Sequence, residues 1–244
     1  MKKLSVVIPS RNEEENLTDC ISEIAEVLNA HDITHEIIII DDGSTDNTAS
    51  VVSTIIKKYP TVRYVKNDKE NGFGRAVRLG FKEYNGDAVA IMMADRSDSP
   101  QDLIKYWYTL KEGHECILGS RFIEGSTVKN YPRIKLVVNR IVNTMIRFAF
   151  RIDSNDITNA FKIYRREVIE GCQPFISPHF NLTVELPLKA IIRGFKWKVI
   201  AINWRNRDKG EAKLKLKEMG SRYFFIIAYV WLEKYFSRGD YIRK

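Results

Sequence analysis

AVAIMMADRSDSP, residues 88–100, decides the fold. The apolar run Ala88–Met93 stops at Asp95, continues through Ser97 and Asp98, and meets a helix start at Ser99 and Pro100. An apolar run of this length reads as a strand buried on both faces. Carboxylates at its C-terminal tip stand where open α/β sheets bind ligands. Asp95 and Asp98 are hard oxygen donors three residues apart, a donor type suited to a divalent cation that carries phosphates. Asp98 also fits a cap for the following helix, with Ser99 at N-cap and Pro100 at N1. Asp95, at the strand tip itself, needs no capping role.

The same rhythm extends outward on both sides. Leu4–Ile8 reads as a strand ended by Pro9, and the next helix carries Leu17, Ile21, Ile24 and Leu28 on one face. Glu36–Ile40 is a second strand, followed by a helix capped by Thr45 or Asp46 with Val51, Val52, Ile55 and Ile56 inward. Val62–Val65 is a short strand, and Asn71-Gly72-Phe73-Gly74 turns into a helix bearing Ala76 and Leu79. Asp102–Lys111 reads as a helix and Cys116–Leu118 as a strand. Such alternation predicts an α/β fold: a mostly parallel sheet with helices on both faces. Further on, Tyr131–Phe150 is a basic helical stretch, Ile157–Arg165 and Lys196–Trp204 read as strands, and 211–236 reads as a basic, then aromatic, helical tail.

The 244 residues carry a net charge of +8, unevenly spread. Residues 186–244 hold 15 Lys and Arg against 5 Asp and Glu, whereas residues 1–185 hold 24 against 26. The asymmetry points to an anionic partner for the C-terminal part. Charge alone suggests nucleic acid, but no nucleic-acid motif with base-reading side chains accompanies it, so no nucleic-acid partner is expected. Cys20, Cys116 and Cys172 are odd in number and lack metal-ligand spacing, which favours a reducing compartment. The N-terminus enters strand sequence with no signal peptide. The longest apolar run, Tyr223–Leu232, has ten residues, and a spanning helix needs roughly 20.

Asn71-Gly-Phe-Gly is neither a P-loop nor a dinucleotide fingerprint. Glu13 and Asp42 stand at two strand tips, and Asp95 at a third. Carboxylates in such places accept N–H donors of a base or hydroxyls of a ribose. The four histidines, His31, His35, His114 and His179, lie in loops or at element starts, leaving Asp156 and Glu185 as the candidate general bases.

Taken together, VVIPSRNEEENL, EIIIIDDGSTDNT, ENGFGRAVRLGF, MADRSDSPQDL, LGSRF, DITNAFKIYRREVIE and WRNRDKGEAKL resemble, in order and spacing, the family 2 glycosyltransferases. Within that family they are similar to the polyprenyl-phosphate sugar transferases of the dolichol-phosphate mannose synthase branch. The resemblance covers roughly residues 4–215. It implies a Rossmann-like GT-A catalytic domain over 1–215, followed by a basic-aromatic helical extension over 216–244. It also implies a nucleotide-diphosphate sugar donor, Mg²⁺ or Mn²⁺, and inversion at the anomeric carbon. By position in the motifs, Pro9, Arg11, Glu13 and Asp42 are implied as donor contacts. Asp95 is implied as metal ligand and donor contact, with Asp98 as a second metal ligand. Arg121 and Arg207 are implied to handle phosphates at the reaction centre, and Lys135, Asn139 and Glu185, with Arg121, to serve the acceptor. Met93 stands where the family carries the first Asp of its DxD element, Lys135 where it carries an arginine, and Ala212 where it carries a serine.

The implied reaction displaces a nucleoside diphosphate. A metal on Asp95 neutralises the leaving group, and Arg207, with Lys209, stabilises the charge building on it. A polyprenyl phosphate acceptor has a second pKa near ~6 and is ionised at neutral pH. A sugar hydroxyl, the alternative acceptor, needs a general base. A catalytically weakened nucleotide-sugar-binding protein is a third reading, motivated by Met93. A lipid acceptor predicts peripheral attachment to the cytoplasmic face of a membrane through Tyr131–Phe150 and residues 217–238, with a membrane partner protein or a second copy as competing occupants of the same helices.

Overall fold

The computed structural model describes residues 1–207 and 216–243. Lys209 and Ala212, two of the positions singled out above, lie outside them. The chain runs β1 (Leu4–Ser10), α1 (Leu17–Ala30), β2 (His35–Asp41), α2 (Thr48–Lys58), β3 (Val62–Lys66), α3 (Phe73–Glu83), β4 (Ala88–Ile91), α4 (Pro100–Lys111) and β5 (Cys116–Ser120). It continues through β6 (Thr127–Lys129), α5 (Arg133–Phe150), β7 (Lys162–Arg165), α6 (Arg166–Gly171), α7 (Leu182–Ile192), β8 (Trp197–Ala201), β9 (Asn203–Arg205) and α8 (Leu216–Phe236).

Seven strands form one sheet in the order β3-β2-β1-β4-β7-β5-β8, and β6 pairs with β9 in a small parallel ribbon. β7 runs antiparallel to both its neighbours, and the other pairings of the main sheet are parallel. The isoleucine run of β2 is explained by burial on both sides. Ile37 and Ile39 belong to an apolar cluster shared with α1, α2 and α4, whereas Ile38 and Ile40 belong to one shared with α3 and α7. Side chains alternate across a strand, so a strand covered on both faces must be apolar throughout.

Three expectations are corrected. Pro9 does not end β1, which runs on to Ser10 in register with β2. Val7 accepts the Met92 N–H on the β4 side. Pro9 faces the same way, beyond the last β4 pair at Val7 and Ile91, where a missing N–H costs no ladder bond. Of the four apolar positions expected inward on α2, Val52 and Ile55 are buried, Val51 is half-buried and Ile56 is exposed. The strand expected over 157–165 shortens to Lys162–Arg165. The buried ammonium of Lys162 takes the carbonyls of Ile157 (2.9 Å) and Asn159, which folds that backbone off the sheet.

The third apolar cluster joins α5, α7 and α8 through Ile146, Phe150, Val184, Leu188, Ile226 and Val230. Arg193, at the C-terminal end of α7, pairs with Glu233 of α8 at 2.7 Å. Among the described residues no helix is long and apolar enough to cross a membrane.

Candidate active site

The tips of β1, β2 and β4 open into one cavity of about 540 Å³, closed on the far side by α5, α8 and the loops before α7 and after β9. Pro9, Arg11, Glu13, Asp42, Asp95, Asp98, Arg121, Lys135, Asn139 and Arg207 all line it. These ten positions come from six separate segments of sequence and meet in one place. Glu185 does not join them. Its carboxylate is fully buried, takes the N–H groups of Ile176 (2.9 Å) and Ser177 (2.8 Å), and pairs with Lys189 at 2.6 Å.

Asp42 is fixed from two sides. Asn67 donates to one oxygen at 2.8 Å and the Gly72 N–H to the other at 2.7 Å. Asp95 sits in a tight turn whose next residue, Arg96, has φ of 61°. Asp95 accepts the Ser97 N–H at 3.1 Å, and Arg207 pairs with its other oxygen at 2.6 Å. Arg207 also approaches Glu13 at 3.8 Å, so one guanidinium spans the β1 and β4 tips. Asp98 accepts the Met93 N–H at 3.0 Å, placing its carboxylate beside the missing DxD position. Burial, reinforced by the charge of Asp95, pushes the Asp98 carboxyl up to about 7. A cation beside Asp95 and Asp98 would favour the ionised form of Asp98, and two hard oxygen donors fit Mg²⁺ or Mn²⁺. Among the described residues no group of three or more His, Cys, Asp or Glu side chains gathers for a metal. Oxygens of the bound donor or of water would serve as further ligands.

On the opposite wall, Arg121 is buried and forked onto Asp156, at 2.8 Å from Nε and 2.7 Å from Nη2. Burial works against its charge, but Asp156 outweighs it, and the proton is held more tightly than on a free guanidinium. Lys135 and Asn139 lie one turn apart on the cavity side of α5, and Asn139 donates to Thr158 at 2.7 Å.

Several lining residues carried no signal in the sequence. Tyr131 and Trp204 meet at 4.8 Å, tilted to one another, each with its ring beside the Arg121 guanidinium. His179 and Phe180 form a wall, with Phe180 stacked on Phe73 at 4.3 Å. Arg222 and Tyr223 reach in from α8. The last two stand in the stretch expected to meet a membrane, and their single polar positions are lost there among aromatics.

Residues 5–172 match glycosyl transferase family 2. The chain belongs to that family. Among curated members it is 34% identical over 225 residues to a dolichol-phosphate mannosyltransferase of Pyrococcus furiosus, a match covering 88% of this chain and 60% of that protein. It is 31% identical over 215 residues to a polyprenol monophosphomannose synthase of Mycolicibacterium smegmatis, covering 86% and 80% respectively. Glucosyl-3-phosphoglycerate synthase of Mycobacterium tuberculosis, solved with Mn²⁺, UDP and glucosyl-3-phosphoglycerate, shares the fold. Its TM-score is 0.70 at 20% identity, over 96% of this chain and 80% of that one. The matched segment ends just past β7 and α6, and residues of α7 and α8 line the cavity from outside it.

Proposed function

We propose that this family 2 chain is a metal-dependent inverting glycosyltransferase that moves a sugar from a nucleotide-diphosphate sugar to polyprenyl phosphate at a membrane surface. The observation that carries the reading is the gathering of both charges in one cavity. Carboxylates Glu13, Asp42, Asp95 and Asp98 line the sheet side with Arg11 and Arg207 among them, Arg121 follows β5, and Lys135 and Arg222 come from α5 and α8. The named activities of the Pyrococcus and Mycolicibacterium relatives support the lipid-phosphate acceptor.

Asp95 and Asp98 would hold Mg²⁺ or Mn²⁺, which supplies Lewis-acid neutralisation of the diphosphate. Arg207, next to Asp95, is placed to meet charge on the leaving group, and one such donor is worth ~10²–10³ in rate. Arg121 and Lys135 face the acceptor's phosphate, Arg121 as a planar fork and Lys135 as a point charge. The two carboxylates nominated as general bases are both committed, Asp156 to Arg121 and Glu185 to Lys189. A phosphate acceptor, already ionised near neutrality, requires neither.

Attachment at the cytoplasmic face of a membrane fits α5 and α8. Ile134 (75% exposed), Val137, Ile141, Met145 and Phe148 (77%) make an outward stripe on α5, and Phe224 (69%), Phe225, Leu232 and Phe236 (69%) one on α8. Apolar stripes flanked by Arg and Lys suit an interfacial helix.

Incubating the protein with radiolabelled GDP-, UDP- and dTDP-sugars, Mn²⁺ and detergent-dispersed polyprenyl phosphate should give a labelled lipid with at least one donor. No labelled lipid from any of them rejects the reading. Transfer to a sugar hydroxyl is the second reading, favoured by His179 in the cavity wall. Under the phosphate reading His179→Gln changes turnover by only a few-fold, whereas loss of a general base costs ~10²–10⁴.

A further inference from the structure

We propose that Asp156 is a positioning residue for the transfer: it acts through Arg121, fixing the guanidinium so that its unspent N–H groups point at the acceptor's phosphate. The inference rests on the reading of Arg121 as a phosphate-binding group. Of the five N–H groups of a guanidinium, two go to the Asp156 carboxylate and one reaches the Tyr131 hydroxyl at 3.4 Å. Two remain for a ligand, on a side chain that lines the cavity. The rings of Phe122, Tyr131 and Trp204 surround the group, each centroid 5.4–5.6 Å from its central carbon. Rotation about the last side-chain bonds is therefore blocked by rings on its faces and by the carboxylate on its edge.

Asp156 also takes the Arg121 backbone N–H at 3.0 Å, so one carboxylate sets both the main chain and the side chain of its partner. Asn155 repeats the pattern on either side, accepting from Ser120 Oγ at 2.6 Å and donating to the Phe122 carbonyl at 3.0 Å. The segment that carries them is itself pinned. Lys162, fully buried, donates to Ile157 O (2.9 Å), Asn159 O and Thr183 O (3.3 Å), tying the Asp156 loop to the first turn of α7. The design differs from a loose surface arginine. Asp156 cancels most of the net charge of Arg121, leaving a directed pair of donors. Aim then matters more than attraction, and misplacement by an ångström can cost ~10² in rate.

A purely structural role and a positioning role separate in kinetics. Asp156→Asn keeps the shape, frees the Arg121 charge and loosens its orientation. The expected result is a fall in kcat of ~10²–10³, with the acceptor KM unchanged or lower, because a negative charge near the acceptor's phosphate has gone. In a cycle with Arg121→Met, Asp156→Asn should then cost less than about threefold more, since coupled residues are not additive. Should Asp156→Asn fail to melt cooperatively, Asp156→Glu replaces it: the charge stays but the fork is displaced, and kcat should fall about tenfold or more at unchanged KM. The Arg121 Nε–H resonance, recorded without substrate, should be resolved and slowly exchanging in the wild-type protein and broadened in the variant. Full multiplicative losses in the cycle, a rise in KM at constant kcat, or an unchanged Nε–H resonance would each overturn the proposal. If no donor and acceptor give product with the wild-type protein, the transferase reading falls while the resonance still decides whether Asp156 holds Arg121.

Discussion

Asp98 carries a cost that a cation would relieve. Its carboxyl is raised to about 7 by burial and by Asp95, against ~3.9 for an aspartate in an unfolded chain. Between roughly pH 4 and 7 the folded chain binds more protons at this residue than the unfolded chain does, so its contribution to stability falls as pH rises across that window. Thermal melts of metal-free protein should show this slope in wild type and lack it in Asp98→Asn. A metal must displace the Asp98 proton, so Mn²⁺ affinity measured by calorimetry should rise with pH up to about 7 and then level. Asp95→Asn keeps the turn but loses half of the carboxylate pair and the partner of Arg207. Turnover should fall by ~10²–10³, and extra Mn²⁺ should not restore it. Eight of the ten cavity residues were legible because each sits at a strand tip or in a motif that resembles the family, and Lys135 and Asn139 only through the region of the resemblance in which they fall, one turn apart on α5. Glu185 was not, because a buried carboxylate paired with a lysine one helical turn later reads in sequence like one aimed at a ligand. Only the backbone N–H groups of Ile176 and Ser177, invisible in sequence, settle where it points.

Elements were legible where periodicity alone decides them. The two-sided burial of β1, β2 and β4 writes itself as short, largely apolar runs, and α4 starts at the Ser99-Pro100 signal. Segments governed by long-range polar contacts were not legible. The backbone at 157–160 has strand-like composition, yet the Lys162 ammonium claims its carbonyls. The loop before α7 is another such element. It lies on α3 at Gly74, where an added Cβ would stand 2.5 Å from Ser177 O and 2.7 Å from His179 O. Backbone packed on backbone leaves no flexible side chain to yield. Gly74→Ala should therefore lower stability by ~1–3 kcal/mol, the usual cost of overpacking. Because His179 and Phe180 line the cavity on this loop, the same change should raise the donor KM more than it lowers kcat. A denaturant titration and steady-state kinetics on one preparation check both.

At the scale of the molecule, the charge asymmetry read from the sequence acquires a place. Lys135 and Arg222 line the cavity from α5 and α8, while the same two helices turn Ile134, Ile141, Phe148, Phe224 and Phe236 outward. The cavity and the apolar stripes thus share two elements, and a polyprenyl phosphate could lodge its headgroup in one while its chain stays beside the other. If the stripes meet a bilayer, binding has an apolar part and an electrostatic part of about 1 kcal/mol per Lys or Arg near an anionic leaflet. Phe148→Ser with Phe224→Ser removes apolar area from both helices and touches no cavity residue. Sedimentation with anionic vesicles should show binding that weakens with salt in the wild-type protein and is lost, at least about tenfold, in the double variant. Turnover on a short, water-soluble polyprenyl phosphate should stay within about twofold, since neither phenylalanine faces the reaction. A second copy covering the stripes would give the opposite pattern: vesicle binding absent in the wild type, and a concentration-dependent dimer in sedimentation that the double variant abolishes. The two outcomes exclude each other, because apolar surface buried between protomers is not available to lipid.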